Sequence, residues 1–450
     1  LEIQWQNQRN PILPPDIHLA DPEAHVMPDG KLYLYGSLDA QSDLFCSDLY
    51  RVVSTPDLNQ WTIHEVAFQG QMVPWFSDPE AIRYSGIDWS RPTPFIRKML
   101  ENAHLSAEKD KFDRVGPDES RPLLFAPDCI HRDGRYFLYF CMPDNSEGVA
   151  VSGSPAGPFV QPVQLPVGGI DPAVFIDEDQ QAYFFWGQLF ARGAKLNPDM
   201  VSLEPASIVE NLVTEETHFF HEGSSVRKIG NLYYLVYCCM ERGKPTSLGY
   251  ATSYSPLGPY TYRGIILDNA GCDPSSWNNH GSIEKFNGQW YIFYHRSSRG
   301  SPMYRRLCIE PINILPDGTI PEVKMTSQGI GLPFAAGETI QGYQACELTG
   351  NVRIGRDSQD RECLTGISAG DTACFRYAES PTGFRGIRLE TTGRGAIEVE
   401  LNSQLAGRCL IGEAGIHSCD FREPVRGDRL ELTLRFRQSE DLSLISCTLG

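Results

Sequence analysis

Five segments of the 450-residue chain follow one plan: an acidic residue or histidine beside a proline or glycine, a short strand, a turn, and an aromatic-rich strand. The first runs from Asp21-Pro22-Glu23-Ala24-His25-Val26 to Gly30 and KLYLY, and the second from Ala126-Pro127-Asp128 to Gly134 and RYFLYF. The third leads from Ile170-Asp171-Pro172 to QQAYFFW, the fourth from His221-Glu222-Gly223-Ser224 to Gly230 and NLYYLVY, the fifth from His280-Gly281-Ser282 to Gly288 and QWYIFY. Asp21 and Asp171 stand nine residues before the turn position, Glu222 and His280 eight. The second segment departs from the pattern, because Phe125 and Ala126 fill those places and Asp128 comes two residues later.

Intervals of roughly 43 to 58 residues between the later segments mark a solenoid or a propeller. Runs such as LYLYG, YFLYF and WYIFY lack polar alternation, so their strands are covered on both faces. A propeller blade packed between two neighbouring blades has that environment. Turn signals recur at Pro28-Asp29-Gly30, Asp133-Gly134 and Asn287-Gly288. The expected fold is all-β, a five-bladed β-propeller over residues 1–325 followed by a β-sandwich over 326–450. The second unit is expected from short alternating runs such as ACFRYAE, GIRLETT, AIEVELN, RLELTLRF and LSLISC. From residue 338 on it contains no Trp and six Phe or Tyr, which favours packing over stacking a sugar.

One stretch, from about Ser77 to Arg121, interrupts the first two segments. Its PTPFIRKMLENAHLSAEKDKF predicts a helix, with Thr93 as cap, Pro94 in the first turn, and Phe95, Met99 and Leu100 on one face. An insertion at a blade edge is the first reading, and a wall of a binding site the second.

With 39 Lys plus Arg against 57 Asp plus Glu, the formal charge is −18, which argues against nucleic acid as partner. No run of about 18 apolar residues is present to cross a membrane. The 13 cysteines are odd in number and include no CxxC pair. They read as buried free thiols, which favours a reducing, cytoplasmic setting. The chain begins at Leu1 rather than Met, which leaves a removed leader, and hence a secreted or periplasmic location, open.

In a propeller the innermost strands line a central channel, so equivalent positions at their starts converge at one end. Asp21, Asp171, Glu222 and His280 are therefore expected around one pocket. Carboxylates gathered in a pocket repel and lose hydration, which is costly without a purpose. Two carboxylates flanking a bond are the equipment of glycoside hydrolysis, and a third can raise the acid's pKa.

These residues, together with APDCIHRDGRYFLYF, NNHGSIEKFNGQWYIFYHR and RRLCIEPINILPDGTI, resemble glycoside hydrolase family 43 over nearly all of residues 10–330. The resemblance implies a five-bladed propeller that cleaves furanosides and xylosides with inversion. Asp21 would be the base, Asp171 the modulator and Glu222 the acid. It also implies that His280 faces the channel centre and binds a calcium ion or a water, with no organic cofactor. The trailing sandwich is similar to the carbohydrate-binding modules found behind such propellers. Further substrate-binding candidates are Asp128, His25, His295 and the rings of Trp75, Trp186, Phe220 and Trp277. The expected activity is an exo-acting α-L-arabinofuranosidase on hemicellulose side chains or oligosaccharides. β-Xylosidase, exo-β-galactofuranosidase and a non-catalytic sugar-binding propeller are the alternatives. An invertase-like chemistry would need an Asn-Asp-Pro-Asn signature, whereas Asp21 sits in Ala-Asp-Pro-Glu.

Overall fold

The computed structural model describes residues 1–81, 93–101, 121–273 and 276–450. Five antiparallel sheets follow one another along the chain. The first blade contains Leu19–Val26, Leu32–Leu38, Leu49–Thr55 and Gln60–Gln69, with Ile3–Gln6 added at its outer edge. Blades two, three and four each have four strands in sequence order, beginning with Phe125–Arg132, Ala173–Ile176 and Phe220–Ile229. The fifth has three, Gly281–Phe286, Gln289–Ser298 and Ser301–Ile312. The aromatic runs are the second strands, and Tyr35, Phe137, Phe184, Tyr237 and Phe293 are all buried between sheets. Unbroken apolarity therefore reports a two-sided environment, as expected for stacked blades.

The five inner strands are laced together by a buried polar network. His25 of blade one meets Asp128 of blade two at 2.7 Å. The other Asp128 oxygen accepts the Val174 N–H of blade three (2.7 Å). Glu23 accepts Ser225 Oγ–H (3.0 Å) and Arg227 Nη2–H (2.7 Å) from blade four. Arg227 Nε–H in turn reaches Glu284 of blade five (2.9 Å). Every blade thus contributes a charged or polar group to the channel, and the opposite charges are mutually paired.

The C-terminal unit is one antiparallel seven-stranded sheet that nearly closes on itself. The short strands expected there are joined into two long bent ones, Thr372–Leu401 and Gly415–Leu449, whose pairing shifts register repeatedly. The sheet turns its corners by bulging rather than by breaking. Phe375, Phe384, Phe421 and Phe436 are buried, and Tyr343 packs against the same core. Tyr377 is covered by the Arg429 guanidinium at 4.1 Å.

This unit is attached to blade five through buried arginines. Arg296 donates to the carbonyls of Ala345 (2.6 Å) and Tyr343 (2.7 Å). Arg306 donates to Glu362 (2.6 Å) and to Leu13 O (3.0 Å). Cys346 and Cys374 share an apolar cluster with Tyr294, Cys308 and Cys272 of the propeller. All 13 cysteines are buried and unpaired. Among the described residues no helix is long and apolar enough to cross a membrane.

Removing one partner of a buried ion pair strands the other charge, at a cost of about 3–5 kcal/mol. Glu362→Ala, which orphans Arg306 at the junction, should lower unfolding stability by that order in a urea titration. A change under about 1 kcal/mol would show that the Arg306–Glu362 pair does not hold the junction.

Candidate active site

The inner strands of blades one, two and four share one distortion. Their pairing skips from Ala20/Ser37 to Glu23/Tyr35, from Phe125/Cys141 to Asp128/Tyr139, and from Glu222/Cys238 to Ser225/Val236. Two residues bulge out against one in each case, and the first of the two is left-handed: Asp21 (φ 52°), Ala126 (φ 26°) and Gly223 (φ 75°). Asp171 (φ 56°) takes the same conformation just before Ala173–Ile176 of blade three. Each non-glycine residue so held costs on the order of 1–3 kcal/mol, a strain that clusters at functional sites.

The bulge corrects the equivalence read from spacing. Asp21 and Asp171 occupy the left-handed position, Ala126 holds it in blade two, and Glu222 stands one residue earlier, level with Ala20 and Phe125. Gly223 takes the bulge position in blade four, where a Cβ would lie 3.0 Å from the His280 ring. His280 directly precedes the regular inner strand of blade five. Its Nδ1 lies 3.7 Å from Asp21 Oδ1 and 3.9 Å from Asp171 Oδ2. One imidazole therefore touches both aspartates and the backbone beside Glu222, which gathers all four residues at one place.

The electrostatics divide the carboxylates. Burial pushes the Asp21 carboxyl up, but the Arg305 guanidinium, joined by His295 and His280, outweighs it and holds the group well below the usual range. Arg305 Nη1–H donates to Asp21 Oδ1 (2.7 Å), while its Nε and Nη2 grip Asp39 (2.9 and 2.8 Å). Ser37 Oγ–H donates to the other Asp21 oxygen (2.6 Å) and is itself fixed by the Ala126 N–H (2.8 Å). Asp171 is displaced the opposite way. Burial first, then repulsion from Glu222, Asp21 and Glu147, pushes its carboxyl well above the usual range. Burial also lowers the His280 pKa against the pull of Asp21 and Glu222, which favours a neutral ring. Glu222 has the most exposed side chain of the three carboxylates, at 14 % against 9 % for Asp171 and 6 % for Asp21. Its Oε2 accepts Gln188 Nε2–H at 2.7 Å.

Several candidates fall elsewhere. Asp128 and His25 are not walls of this site; they lie farther along the channel and pair with each other, because Asp128 is level with Glu23 rather than Asp21. His295 is fully buried, so it cannot meet a sugar. Its Nδ1 accepts the Asp21 N–H (3.1 Å) and its Nε2 faces Asn278 Oδ1 (3.1 Å), which positions the Asp21 backbone. Trp75, Trp186 and Phe220 are core residues: Trp75 stacks on Phe140, Trp186 on Phe184, and Phe220 is fully covered. Trp277 is partly exposed and packs beside Phe95, Ile96, Leu189 and Met240.

That cluster settles the place of the insertion. The helix Pro94–Glu101 is capped by Thr93, whose Oγ1 accepts the Ile96 N–H (3.3 Å). Phe95 meets His221 edge to face at 5.1 Å, one residue from Glu222. The described helix of the insertion thus packs beside the site, through Phe95 and Ile96, rather than standing off at a blade edge. Met99 and Leu100 lie outside the described side chains.

Spacing did not reveal Arg305, Asp39, Ser37 or Gln188. The available signal was the Arg305-Arg306 pair inside the otherwise covered strand SPMYRRLCIEPI, since buried cations imply buried partners.

Protein atoms at His280 do not form a calcium cage. Calcium takes six to eight oxygens, whereas here one imidazole faces two carboxylates, one already bound to Arg305. Glu23, His25 and Asp128 offer three ligand atoms within 4.8 Å of one another, but they are paired internally and with Arg227.

The family model of the glycosyl hydrolases family 43 matches residues 100–320. A xylosidase/arabinosidase of Thermoclostridium stercorarium is 30 % identical over 98 % of both chains. An arabinoxylan arabinofuranohydrolase of Bacillus subtilis is 28 % identical over 91 % of this chain and 83 % of its own. Among solved structures, a family 43 β-xylosidase/α-arabinofuranosidase from a compost microbial metagenome, in a calcium-free complex with xylotriose, is 28 % identical. It superposes with a TM-score of 0.54 over 72 % of this chain and 99 % of its own. The fold of a Bacillus subtilis arabinoxylan arabinofuranohydrolase, 23 % identical, spans 98 % of this chain and 97 % of its own at a TM-score of 0.51.

A raised carboxyl pKa has a direct stability consequence. Above the ordinary value, near 3.9, an unfolded Asp releases its proton while buried Asp171 resists doing so. The native state therefore loses stability as pH rises from that value through the raised one. Asp171→Asn lacks this loss and should melt higher than the parent at pH 7, with the difference disappearing below about pH 4. A variant no more stable at pH 7 would contradict the buried repulsion described here.

Proposed function

The chain belongs to the glycosyl hydrolases of family 43 and is a glycoside hydrolase acting on carbohydrate, and from that premise we propose an inverting, exo-acting α-L-arabinofuranosidase. It would release terminal L-arabinofuranose from arabinoxylan or arabino-oligosaccharide side chains. The observation that carries this reading is the opposite treatment of carboxylates in one site. Asp21 is held ionised by Arg305 with His295 and His280, while burial and the repulsion of its neighbours push the Asp171 carboxyl well above the usual range.

In the proposed reaction, Asp21 takes a proton from water as its oxygen forms a bond to the anomeric carbon. The glycosidic C–O bond breaks on the opposite side, and the leaving oxygen takes the proton of Glu222. Glu222 is assigned delivery because it is more exposed than Asp171, and the repulsion between the two carboxyls, which resists ionising both, lets them share one proton that Glu222 passes to the leaving oxygen. Neutral His280 spaces the two aspartates, and Ser37 and Arg305 hold Asp21 in line. The reaction ends with the proton on Asp21 and the charge on Glu222, and exchange with solvent resets both. Inversion requires room for a water between base and acid, an arrangement of about 6.5–9.5 Å between carboxyl groups.

The relatives' names support arabinofuranose as the released sugar and support xylose equally, so β-xylosidase is the second reading. A panel of aryl α-L-arabinofuranoside, β-D-xyloside and β-D-galactofuranoside, with the freed sugar identified, decides between them. Fastest release from the arabinofuranoside is expected; a dominant xyloside activity would reassign the sugar without moving the site.

Glu222→Ala should lower kcat by about 10²–10⁴-fold on substrates with poor leaving groups and far less on those with good ones, because only the former need protonation. Asp21→Ala should depress both kinds alike. A uniform loss for Glu222→Ala across leaving groups would remove it from the acid role.

A further inference from the structure

The turn between the second and third strands of blade three is tied to the residues just before Asp171 and Glu222. Gly187 N–H donates to Ile170 O (3.0 Å), and Leu189 N–H donates to His221 O (2.6 Å). Glu215 N–H, at the start of the short helix Glu215–His218 that links blades three and four, donates to Leu189 O (3.2 Å). The conformation is closely specified: Gly187 has φ 127°, and a Cβ there would lie 2.4 Å from Phe190 O. Leu189 is left-handed (φ 66°) and buried with Phe95, Ile96 and Met240. Gln188, at the centre of this turn, is therefore held at a fixed height between the two blades that carry the acid pair.

Its Nε2–H bond to Glu222 Oε2 is the sole hydrogen bond to that carboxyl from the described side chains, since His221 Nε2 stands 4.0 Å away. We propose that Gln188 is a positioning residue for the acid, occupying Oε2 as a donor so that the transferable proton sits on Oε1. This rests on the reading of Glu222 as the acid. An amide nitrogen can only donate, so a proton on Oε2 would meet another hydrogen. The same bond strengthens as Glu222 becomes charged, because hydrogen bonds to ionised groups are the stronger ones. Gln188 thus favours both the correct proton position and the release of that proton.

Gln188→Leu removes the donor at nearly constant size, and Gln188→Ala serves if leucine disturbs the turn. kcat/KM is measured against pH and against leaving-group pKa in a series of aryl glycosides, with Glu222→Ala run in parallel. With poor leaving groups the Gln188 variants should lose about 10- to 100-fold, the worth of one hydrogen bond to a charged group. With good leaving groups the loss should stay within about threefold. The basic limb should move to higher pH, because the donor that favoured ionised Glu222 is gone. A loss equal across leaving groups, or a basic limb that is unmoved, overturns the proposal. A limb moved to lower pH also overturns it, since the amide carbonyl would then be facing a protonated Oε2. If Glu222→Ala shows its leaving-group dependence while the Gln188 variants match the parent, the positioning role alone fails. If Glu222→Ala shows none, the acid assignment fails and takes this inference with it.

Discussion

The contact between Arg305 and Asp21 is the interaction on which the site depends. Five inner strands converge on one channel and bring three carboxylates and an imidazole together in a place largely closed to water. Left alone, that gathering would protonate, since each charge opposes the next and burial opposes them all. A fully buried guanidinium bound to Asp21 and doubly to Asp39 resolves the conflict at one member only. Asp21 stays ionised, and the remaining strain falls on Asp171. Two chemically similar groups thereby acquire opposite tendencies, as acid–base catalysis requires.

The geometry behind this is a backbone device. Each bulge inserts one extra residue into an inner strand and turns a side chain that would have followed the pleat. Asp21 and Asp171 use the left-handed position directly. Blade four uses it indirectly, with a glycine in the bulge and the glutamate one step before. A longer side chain set one residue back reaches the same region from a different angle. Blade two keeps the bulge but places Ala126 in it. The alanine contributes through its N–H, which fixes Ser37 and so fixes Asp21. Deeper in the channel the same strands present Glu23, His25, Asp128 and Arg227, and there complementary charges are paired off.

Aromatic residues show the limits of composition as evidence for binding. In a propeller the rings of Trp75, Trp186 and Phe220 serve the seams between blades, because large flat side chains fill the space between stacked sheets. The helix inserted after blade one contributes Phe95 beside His221. Part of the packing beside the site therefore comes from a segment distant in the chain order of the blades.

Repetition along the chain determined a great deal by itself. Recurring aromatic strands and turns imply five blades, because a strand with no polar face needs a neighbour on each side. A shared place in the repeat located Asp21, Asp171, Glu222 and His280, because repetition maps sequence position onto height in a channel. That mapping fails wherever the backbone slips by a residue, since a bulge changes height without changing spacing. Asp128, His25 and the exact register of Glu222 were decided by the bulges. Arg305, Asp39, Ser37 and Gln188 were decided by packing, for each reaches its carboxylate across a strand or blade boundary. Which carboxylate keeps its charge was likewise left to the tertiary structure, because a pKa depends on what surrounds a group rather than on what precedes it in the chain.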